Sequence, residues 1–320
     1  MTRSAPVSAI ALAGLALVGA ADGRSAAWPA GAPAFAHAEK VTAQFAGGQD
    51  RCLNTTPGIV GTPGDDTIAG TPGNDVIAGL GGNDTIDGGG GDDLLCGGEG
   101  NDTLQGGDGS DALSGDGGDD SADGGAGFDV LVFLQSPAAV TADLVARTAT
   151  GWGADTIVGE GIVGSRFADR LRGDGTDNLL DGWGGSDVLA GLGGVDVLDG
   201  DAGNDRLDGG AGLDLALFDF APRRITASLR TRRASGWGRD RLPGIEMLSG
   251  SRFADVLTGN AGGNVIWGNG GPDRLLGLGG PDDLIGGAGR DRLDGGPGRD
   301  RVDGGAGRDA CVGERRVRCP

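Results

Sequence analysis

The sequence predicts an all-β fold, a β-solenoid in which short strands stack in successive coils. Three observations predict it: glycine recurs every nine residues through most of the chain, one aliphatic residue stands at a fixed place between glycines, and aromatic residues are scarce. Of 320 residues, 71 are Gly and only 4% are aromatic. A single large globular core is therefore not expected, because few bulky side chains are present to fill one.

The nine-residue period is clearest in residues 61–132, which divide into eight units such as GLGGNDTID. A second run of six units starts at Gly164, and a third run of seven starts at Gly250. Position one is Gly in all 21 units, and position six is Asp in 19, with Asn178 and Asn264 in the other two. A glycine-rich chain without a pattern would suggest disorder, so the period itself indicates a fold.

Positions seven to nine of each unit, such as Thr85-Ile86-Asp87, alternate between polar and apolar residues. This alternation predicts a short strand with one buried side chain, so that two consecutive units make one coil with two strands. Burying one Leu or Ile stabilises the fold by about 1.5–3 kcal/mol, whereas ordering the backbone costs about 1–2 kcal/mol per residue. For a unit of nine residues, the cost of ordering the backbone therefore exceeds the gain from burying one side chain. Hydrogen bonds between strands offset part of this cost, but a further stabilising interaction is needed.

The aspartates at position six are the candidates for that interaction. Because they recur on one side of the coil in every second unit, the sequence predicts two columns of carboxylates on opposite sides, with neighbours about 4.8 Å apart by strand spacing. Bare carboxylates at that spacing would repel, whereas calcium binds about six to eight carboxylate and carbonyl oxygens. Solvated turn aspartates are the alternative, and they explain one or two units rather than 19. The pattern predicts calcium as the cofactor.

The units resemble the nonapeptide GGxGxDxUx of the RTX, or haemolysin-type, calcium-binding repeat family, over about 189 residues. The resemblance implies a parallel β-roll with calcium between turns two units apart, held by position-six aspartates and turn carbonyls. The implied metal ligands are Asp66, Asp75, Asp84, Asp93, Asp102, Asp111, Asp120, Asp129, Asp187, Asp196, Asp205, Asp214, Asp273, Asp282, Asp291 and Asp300.

Some units depart from the family pattern. Phe167, Thr176 and Phe253 replace the position-four glycine, which puts the neighbouring position-six residues in doubt as ligands. Those doubtful residues are Asp169, Asn178 and Asp255. In another unit Asn264 keeps an oxygen but loses a charge.

Two irregular segments, residues 133–163 and 218–249, separate the three runs and contain the related stretches GWGADTIVGEGIVGSRFADRL and GWGRDRLPGIEMLSGSRFADVL. Alternation at residues 140–144 predicts a strand, so both segments are interpreted as wider coils that continue the stack. Trp152 and Trp237 lie between glycines, which favours a packing role, with a ligand site as the alternative.

The predicted organisation follows from these boundaries. We refer to the three runs as tracts and to the irregular segments as spacers. The order is a signal peptide with a low-complexity segment (1–38), an N-terminal cap (39–60), tract 1 (61–132), spacer 1 (133–163), tract 2 (164–217), spacer 2 (218–249), tract 3 (250–312) and a C-terminal cap (313–320).

The N-terminus predicts export. Arg3 precedes an apolar stretch over residues 9–18, which is too short to span a bilayer, and small residues at 18–21 offer cleavage sites. An uncleaved membrane anchor is the alternative. The predicted location is extracellular, with no transmembrane segment in the mature protein.

The four cysteines agree with export, because an even number of cysteines outside the cytosol suggests disulfides. Their positions favour the pairs Cys52–Cys96 and Cys311–Cys319, each of which would tie an end of the chain to the adjacent coils.

Composition also limits the function. The net charge of −20 argues against nucleic acid as a partner. The only histidine is His37 and the only lysine is Lys40, so Ser-His-Asp, HExxH and P-loop arrangements are excluded.

The charge is distributed unevenly between the tracts. Residues 61–132 contain 16 acidic residues and no Lys or Arg, whereas residues 250–320 contain ten acidic residues and ten Arg. The arginines of tract 3 are therefore expected to offset repulsion in the carboxylate columns.

The sequence thus predicts a secreted calcium-binding protein with no enzymatic activity and a structural or adhesive role, with a cell-surface or polysaccharide partner. The alternatives are an extracellular polysaccharide-acting enzyme and a stand-alone calcium buffer.

Overall fold

The computed structural model describes residues 57–319, and within this range every regular element is a β-strand. The predicted signal peptide, most of the predicted N-terminal cap and Cys52 lie outside the described residues. No helix in the described part of the chain is long and apolar enough to cross a membrane.

The strands follow the nonapeptide units. Residues 57–132 form β1 (Ile59–Val60), β2 (Thr67–Ala69), β3 (Val76–Gly81), β4 (Thr85–Gly90), β5 (Leu94–Glu99), β6 (Thr103–Asp108), β7 (Ala112–Gly117), β8 (Ser121–Ala126) and β9 (Val130–Val132). Spacer 1 forms β10 (Thr141–Asp143), β11 (Thr148–Thr150), β12 (Ala154–Val158) and β13 (Gly161–Val163). Tract 2 forms β14 (Arg170–Arg172), β15 (Leu179–Asp181), β16 (Val188–Gly194), β17 (Val197–Asp199), β18 (Arg206–Gly212) and β19 (Leu215–Leu217).

The second half repeats this plan. Spacer 2 forms β20 (Thr226–Ser228), β21 (Arg233–Ser235), β22 (Arg239–Arg241) and β23 (Met247–Ser249). Tract 3 and the tail form β24 (Val256–Thr258), β25 (Val265–Trp267), β26 (Arg274–Leu276), β27 (Asp283–Ile285), β28 (Ala288–Gly289), β29 (Arg292–Asp294), β30 (Arg301–Asp303), β31 (Ala306–Gly307), β32 (Ala310–Val312) and β33 (Arg315–Val317).

Within the tracts the main strands alternate between two parallel sheets, which we name A (fourteen strands, from β1 to β33) and B (seventeen strands, from β2 to β32). In sheet A, Ile77 of β3 is in register with Leu95 of β5, and in sheet B, Ile86 of β4 is in register with Leu104 of β6. Each partner lies two units further along the chain. The predicted all-β solenoid, with two units and two strands in each coil of a tract, is confirmed.

The core is the column of position-eight side chains between the two sheets. Ile77, Ile86, Leu95 and Leu104 are completely buried, and the same cluster continues through all three tracts to Val302. Because each unit contributes one such side chain, the core is continuous but only one side chain wide on each sheet.

The spacers continue the stack in a way that the interpretation as wider coils did not foresee. In spacer 1, β10, β11 and β12 form an antiparallel meander inserted in sheet B, with β12 pairing in parallel with β8 and β10 with β14. Sheet A meanwhile continues directly from β9 through β13 to β15. Spacer 2 repeats this with β20, β21 and β22. Small residues such as Ala142 and Ala149 face the core here.

The two spacer tryptophans contact the body of the solenoid. Trp237 is partly buried and packs against the core cluster, and the indole of Trp152 lies directly against Gly117. These contacts agree with a packing role for both side chains.

A second apolar cluster covers the outer side of sheet A, contributed mainly by positions seven and nine of the units, with Phe128 at position five and Met247 from spacer 2. It includes Leu94, Cys96, Val197 and Met247, all of which are buried. Cys96 is disulfide-bonded, and its predicted partner Cys52 lies outside the described residues. The nine-residue period predicted only the inner core, and this outer cluster was not predicted.

The C-terminal tail folds back over the last coil. Cys311 and Cys319 form a disulfide with Cα atoms 6.0 Å apart, and both side chains pack against the core. The strand β33 pairs in parallel with β30. The predicted Cys311–Cys319 bond is confirmed.

Candidate metal columns along the turns

The turns that enter the strands place the position-six aspartates in two columns, one beside each sheet. The main-chain N–H of Asp84 donates to Oδ1 of Asp102 at 2.7 Å, and the N–H of Asp102 donates to Oδ1 of Asp120 at 2.9 Å. In the other column the N–H of Asp93 donates to Oδ1 of Asp111 at 2.8 Å. One carboxylate oxygen of these aspartates therefore fixes the register of the preceding coil.

The second oxygen has no such partner. In fourteen position-six aspartates, Oδ2 is buried and accepts no hydrogen bond from the described residues. These aspartates are Asp84, Asp93, Asp102, Asp111, Asp120, Asp187, Asp196, Asp205, Asp214, Asp273, Asp282, Asp291, Asp300 and Asp309. A buried carboxylate oxygen without a partner is costly, so each of these turns requires a proton or a cation.

The position-one glycine shows what else faces that oxygen. A Cβ atom added to Gly79 would lie 2.2 Å from Oδ2 of Asp84 and 2.5 Å from the carbonyl oxygen of Gly97. At Gly106 the corresponding distances are 2.3 Å to Oδ2 of Asp111 and 2.4 Å to the carbonyl oxygen of Gly124. Glycine is required at position one because the carboxylate of its own unit and a carbonyl oxygen of the next coil occupy the space that a Cβ atom would need.

These donors are the types that calcium prefers, namely carboxylate and main-chain carbonyl oxygens. Among the described residues, no group of three acidic, histidine or cysteine side chains converges as a metal site. The repeated combination is instead one carboxylate with main-chain oxygens from neighbouring coils. The residues present therefore fit calcium.

The electrostatics of the columns agree with a need for positive charge. Burial raises the pKa of Asp102 to about 6, of Asp196 to about 7, and of Asp187 and Asp273 to about 8. The N–H bond from the preceding coil partly offsets this increase in pKa, and the carboxylates above and below add to it. A bound divalent cation would offset both the burial and the repulsion.

Three of the sixteen predicted ligands do not show this unpaired oxygen. Oδ2 of Asp66 accepts the N–H and hydroxyl of Thr62, and Oδ2 of Asp75 accepts those of Thr71. Asp129 receives the N–H of Asp111 on Oδ1, and burial raises its pKa to about 7, but its Oδ2 is not among the unpaired atoms.

The residues that the sequence left in doubt as ligands have protein partners. In Asp169 and Asp255, Oδ2 accepts the N–H of the serine four residues earlier, Ser165 and Ser251 respectively. Asn178 and Asn264 each donate their side-chain N–H to the main-chain carbonyl of a glutamate in the preceding coil.

The structure adds acidic residues that the sequence analysis did not include. Asp309 occupies position six of the last unit, and its Oδ2 is unpaired like the others. In spacer 1, Asp155 accepts the N–H of Asp120 at 3.1 Å and Glu160 accepts that of Asp129 at 2.9 Å. The corresponding acceptors in spacer 2 and the tail are Asp240, Glu246 and Glu314.

The sequence of each spacer contains a partial nonapeptide that marks these acidic residues. It has the form G-x-G-x-D-x-U, which is the nonapeptide from position two onward, and it starts at Gly151 in spacer 1 and at Gly236 in spacer 2. Glu160 also precedes Ile162 by two residues, as position six precedes position eight. The carboxylate columns thus extend into the spacers.

Two ion-paired arginines, one in tract 3 and one in the C-terminal cap, do not pair with the position-six aspartates. Arg301 forms ion pairs with Asp283 at 2.8 Å and with Asp303 at 3.4 Å, and Arg318 also pairs with Asp303. Asp283 and Asp303 lie at positions seven and nine, on the outer side of sheet A. These pairs therefore neutralise the face of a sheet rather than the position-six columns.

Comparison with known protein families agrees with this geometry. The family model of the RTX calcium-binding nonapeptide repeat matches residues 60–95, 97–131, 162–189, 184–216, 243–275 and 276–310. Together these matches cover more than half of the chain. No curated protein shows significant similarity to it.

Proposed function

The chain belongs to the RTX calcium-binding nonapeptide repeat family, and we propose that it is a secreted structural or adhesive protein whose turns bind calcium. The unpaired Oδ2 atoms of fourteen buried aspartates support this proposal most directly. Calcium, when bound, supplies the positive charge and the coordination that these oxygens lack.

The two oxygens of a position-six carboxylate would have different roles. Oδ1 of a position-six aspartate holds the preceding coil through its N–H, while Oδ2 and the position-one carbonyl would hold the cation. The bound ion would then join coils that share only a thin hydrophobic core. Because calcium would bind the folded coil and not the unfolded chain, it stabilises the fold by mass action.

Secretion is supported by the apolar N-terminal stretch and by the cysteines. The Cys311–Cys319 disulfide is the kind of bond that forms and persists outside the cytosol. Extracellular calcium modules commonly bind in the range of about 0.1–1 mM, which suits a protein that folds after export.

A structural or adhesive role is supported by the outer face of sheet B. Positions seven and nine there are polar and exposed in tract 1, as in Thr85, Asp87, Thr103 and Gln105. A long, regular polar face of this kind suits contact with a cell surface or a polysaccharide.

Circular dichroism of the mature protein tests the proposal. Millimolar calcium added after a chelator should restore the β-sheet spectrum, and magnesium should do so poorly because it requires a tighter octahedral site. Identical spectra in chelator and calcium would refute calcium binding as the stabilising factor. Incubation with polysaccharides, with product analysis, distinguishes binding from cleavage.

A further inference from the structure

The turns of the solenoid are of two kinds, which differ in the backbone at position two. In 15 of the 21 units the position-two residue has a positive φ, and several of these residues are not glycine: Leu80 at 85°, Leu192 at 80° and Leu278 at 82°. Leucine adopts this left-handed conformation at a cost, so the turn itself imposes it. We name these turns open.

The other six turns have an ordinary φ at position two, and we name them closed. In each, the position-two N–H donates to the position-six side chain of the same unit, at 2.5–2.7 Å. The donor and acceptor pairs are Thr62–Asp66, Thr71–Asp75, Ser165–Asp169, Asp174–Asn178, Ser251–Asp255 and Asn260–Asn264.

The two kinds of turn separate the unpaired Oδ2 atoms from those that accept an N–H of their own turn, and Asp129, in an open turn, is the one position-six aspartate in neither group. All fourteen aspartates with an unpaired Oδ2 belong to open turns. In the closed turns of Asp66, Asp75, Asp169 and Asp255, a main-chain N–H already occupies Oδ2. A cation at that oxygen would have to displace a hydrogen bond that the protein makes to itself.

The closed turns are grouped rather than scattered. They are the first two units of every tract, so each tract begins with one complete closed coil. These coils span residues 61–78, 164–181 and 250–267, and the last two directly follow a spacer.

We propose that the conformation of position two determines which turns take calcium, and that the closed coil at the start of each tract binds none and keeps its structure without it. This inference rests on the proposed calcium-binding function. The closed coils then act as three metal-independent starting points, on which the calcium-dependent coils stack.

Hydrogen exchange of the full chain in excess chelator tests the second half of the proposal. Amides in residues 164–181 and 250–267 should remain protected while those in the open coils at 182–217 and 268–312 exchange. Closed coils that exchange as fast as open ones would overturn it.

A matched pair of substitutions tests the first half. Asp255 and Asp273 lie in adjacent coils of one column, but Asp255 is in a closed turn and Asp273 in an open one. Native mass spectrometry should show fewer bound calcium ions for Asp273→Asn and an unchanged number for Asp255→Asn. Asparagine occupies the closed turns at 178 and 264 and accepts the position-two N–H there, so Asp255→Asn can keep the bond from Ser251, although the N–H of Ile225 loses its carboxylate acceptor.

The outcomes are distinguishable. A full chain that binds no calcium refutes the proposed function. A chain that binds calcium but loses as many ions with Asp255→Asn as with Asp273→Asn overturns only this inference. If Asp273→Asn does not fold, the calcium count of Asp255→Asn against the unaltered chain still decides the first half: an equal count supports it and a lower count overturns it.

Discussion

The main-chain N–H of Asp102 donates to Oδ1 of Asp120, one coil further along, at 2.9 Å. The side chain of one aspartate thus holds the backbone of the equivalent aspartate in the preceding coil. Because the same bond recurs along both columns, these carboxylates align the coils through Oδ1, and the proposed role of their Oδ2 atoms is cation binding.

Replacing an aligning aspartate should be costly, unlike replacing an exposed one. Asp102→Ala leaves the buried N–H of Asp84 without its acceptor, which costs about 1–3 kcal/mol, and removes a proposed calcium ligand. Asp108 is exposed at position three, so Asp108→Ala should change stability by less than about 0.5 kcal/mol. Urea denaturation in saturating calcium measures both. Equal effects would mean that the acids act only as diffuse charge.

Filling the cation position should abolish calcium stabilisation at one turn. An added Cβ at Gly106 would lie 2.3 Å from Oδ2 of Asp111 and 2.4 Å from the carbonyl of Gly124. Gly106→Ala should therefore reduce the shift in melting temperature that calcium produces. At Gly64 the same methyl group meets nothing within 4 Å, so Gly64→Ala is the control. An unchanged calcium response in Gly106→Ala would show that no cation binds between these groups.

Stability without calcium should fall as pH rises. Burial raises the pKa of Asp187 and Asp273 in the fold to about 8, from 3.8 in the unfolded chain. Between these values the folded state binds more protons than the unfolded state, so raising the pH favours unfolding. The penalty is absent below about pH 4 and complete above about pH 8.

Urea denaturation in chelator at about pH 5, 6.5 and 8 measures this effect. Calcium should stabilise the protein most at the highest pH, because the metal binds the ionised carboxylates. Stability that rises with pH in chelator would contradict the prediction.

The first spacer should depend on Glu160 as an acceptor. Its Oε2 accepts the N–H of Asp129 at 2.9 Å, so Glu160→Ala should cost about 1–3 kcal/mol by leaving that buried group unpaired. Glu160→Gln keeps an acceptor oxygen and should cost less. Differential scanning calorimetry in calcium compares the two. If glutamine and alanine destabilise equally, the charge of Glu160 matters rather than its hydrogen bond.

The sequence predicted the features that repeat. The period of nine places Ile86 and Leu104 in the core and Asp84 and Asp102 in one column, because a regular repeat must place equivalent residues alike. The tail disulfide followed from Cys311 at a core position and a short reach to Cys319.

The parts of the structure that depart from the nine-residue repeat were harder to predict. The antiparallel meander of spacer 1 depends on which strand finds an open edge of sheet B, and local alternation at residues 140–144 does not specify this. The closed turns depend on φ at position two, where Leu80 and Thr62 look equally ordinary in the sequence. Asp155 and Glu160 could not be predicted from the period, because Thr150 and Asp155 stand where position one of their units would have glycine.

Because consecutive units enter sheets A and B alternately, the structural repeat of the solenoid is a pair of nonapeptides. In tract 1, units that enter sheet A carry apolar outer residues such as Leu94 and Val130, whereas units that enter sheet B carry Thr85 and Asp87. Deleting one nonapeptide would move every later strand to the opposite sheet and reverse its faces, while deleting two would preserve both. The solenoid can therefore lengthen or shorten by whole pairs of nonapeptides, whereas the gain or loss of a single nonapeptide would exchange the two sheets for every later unit.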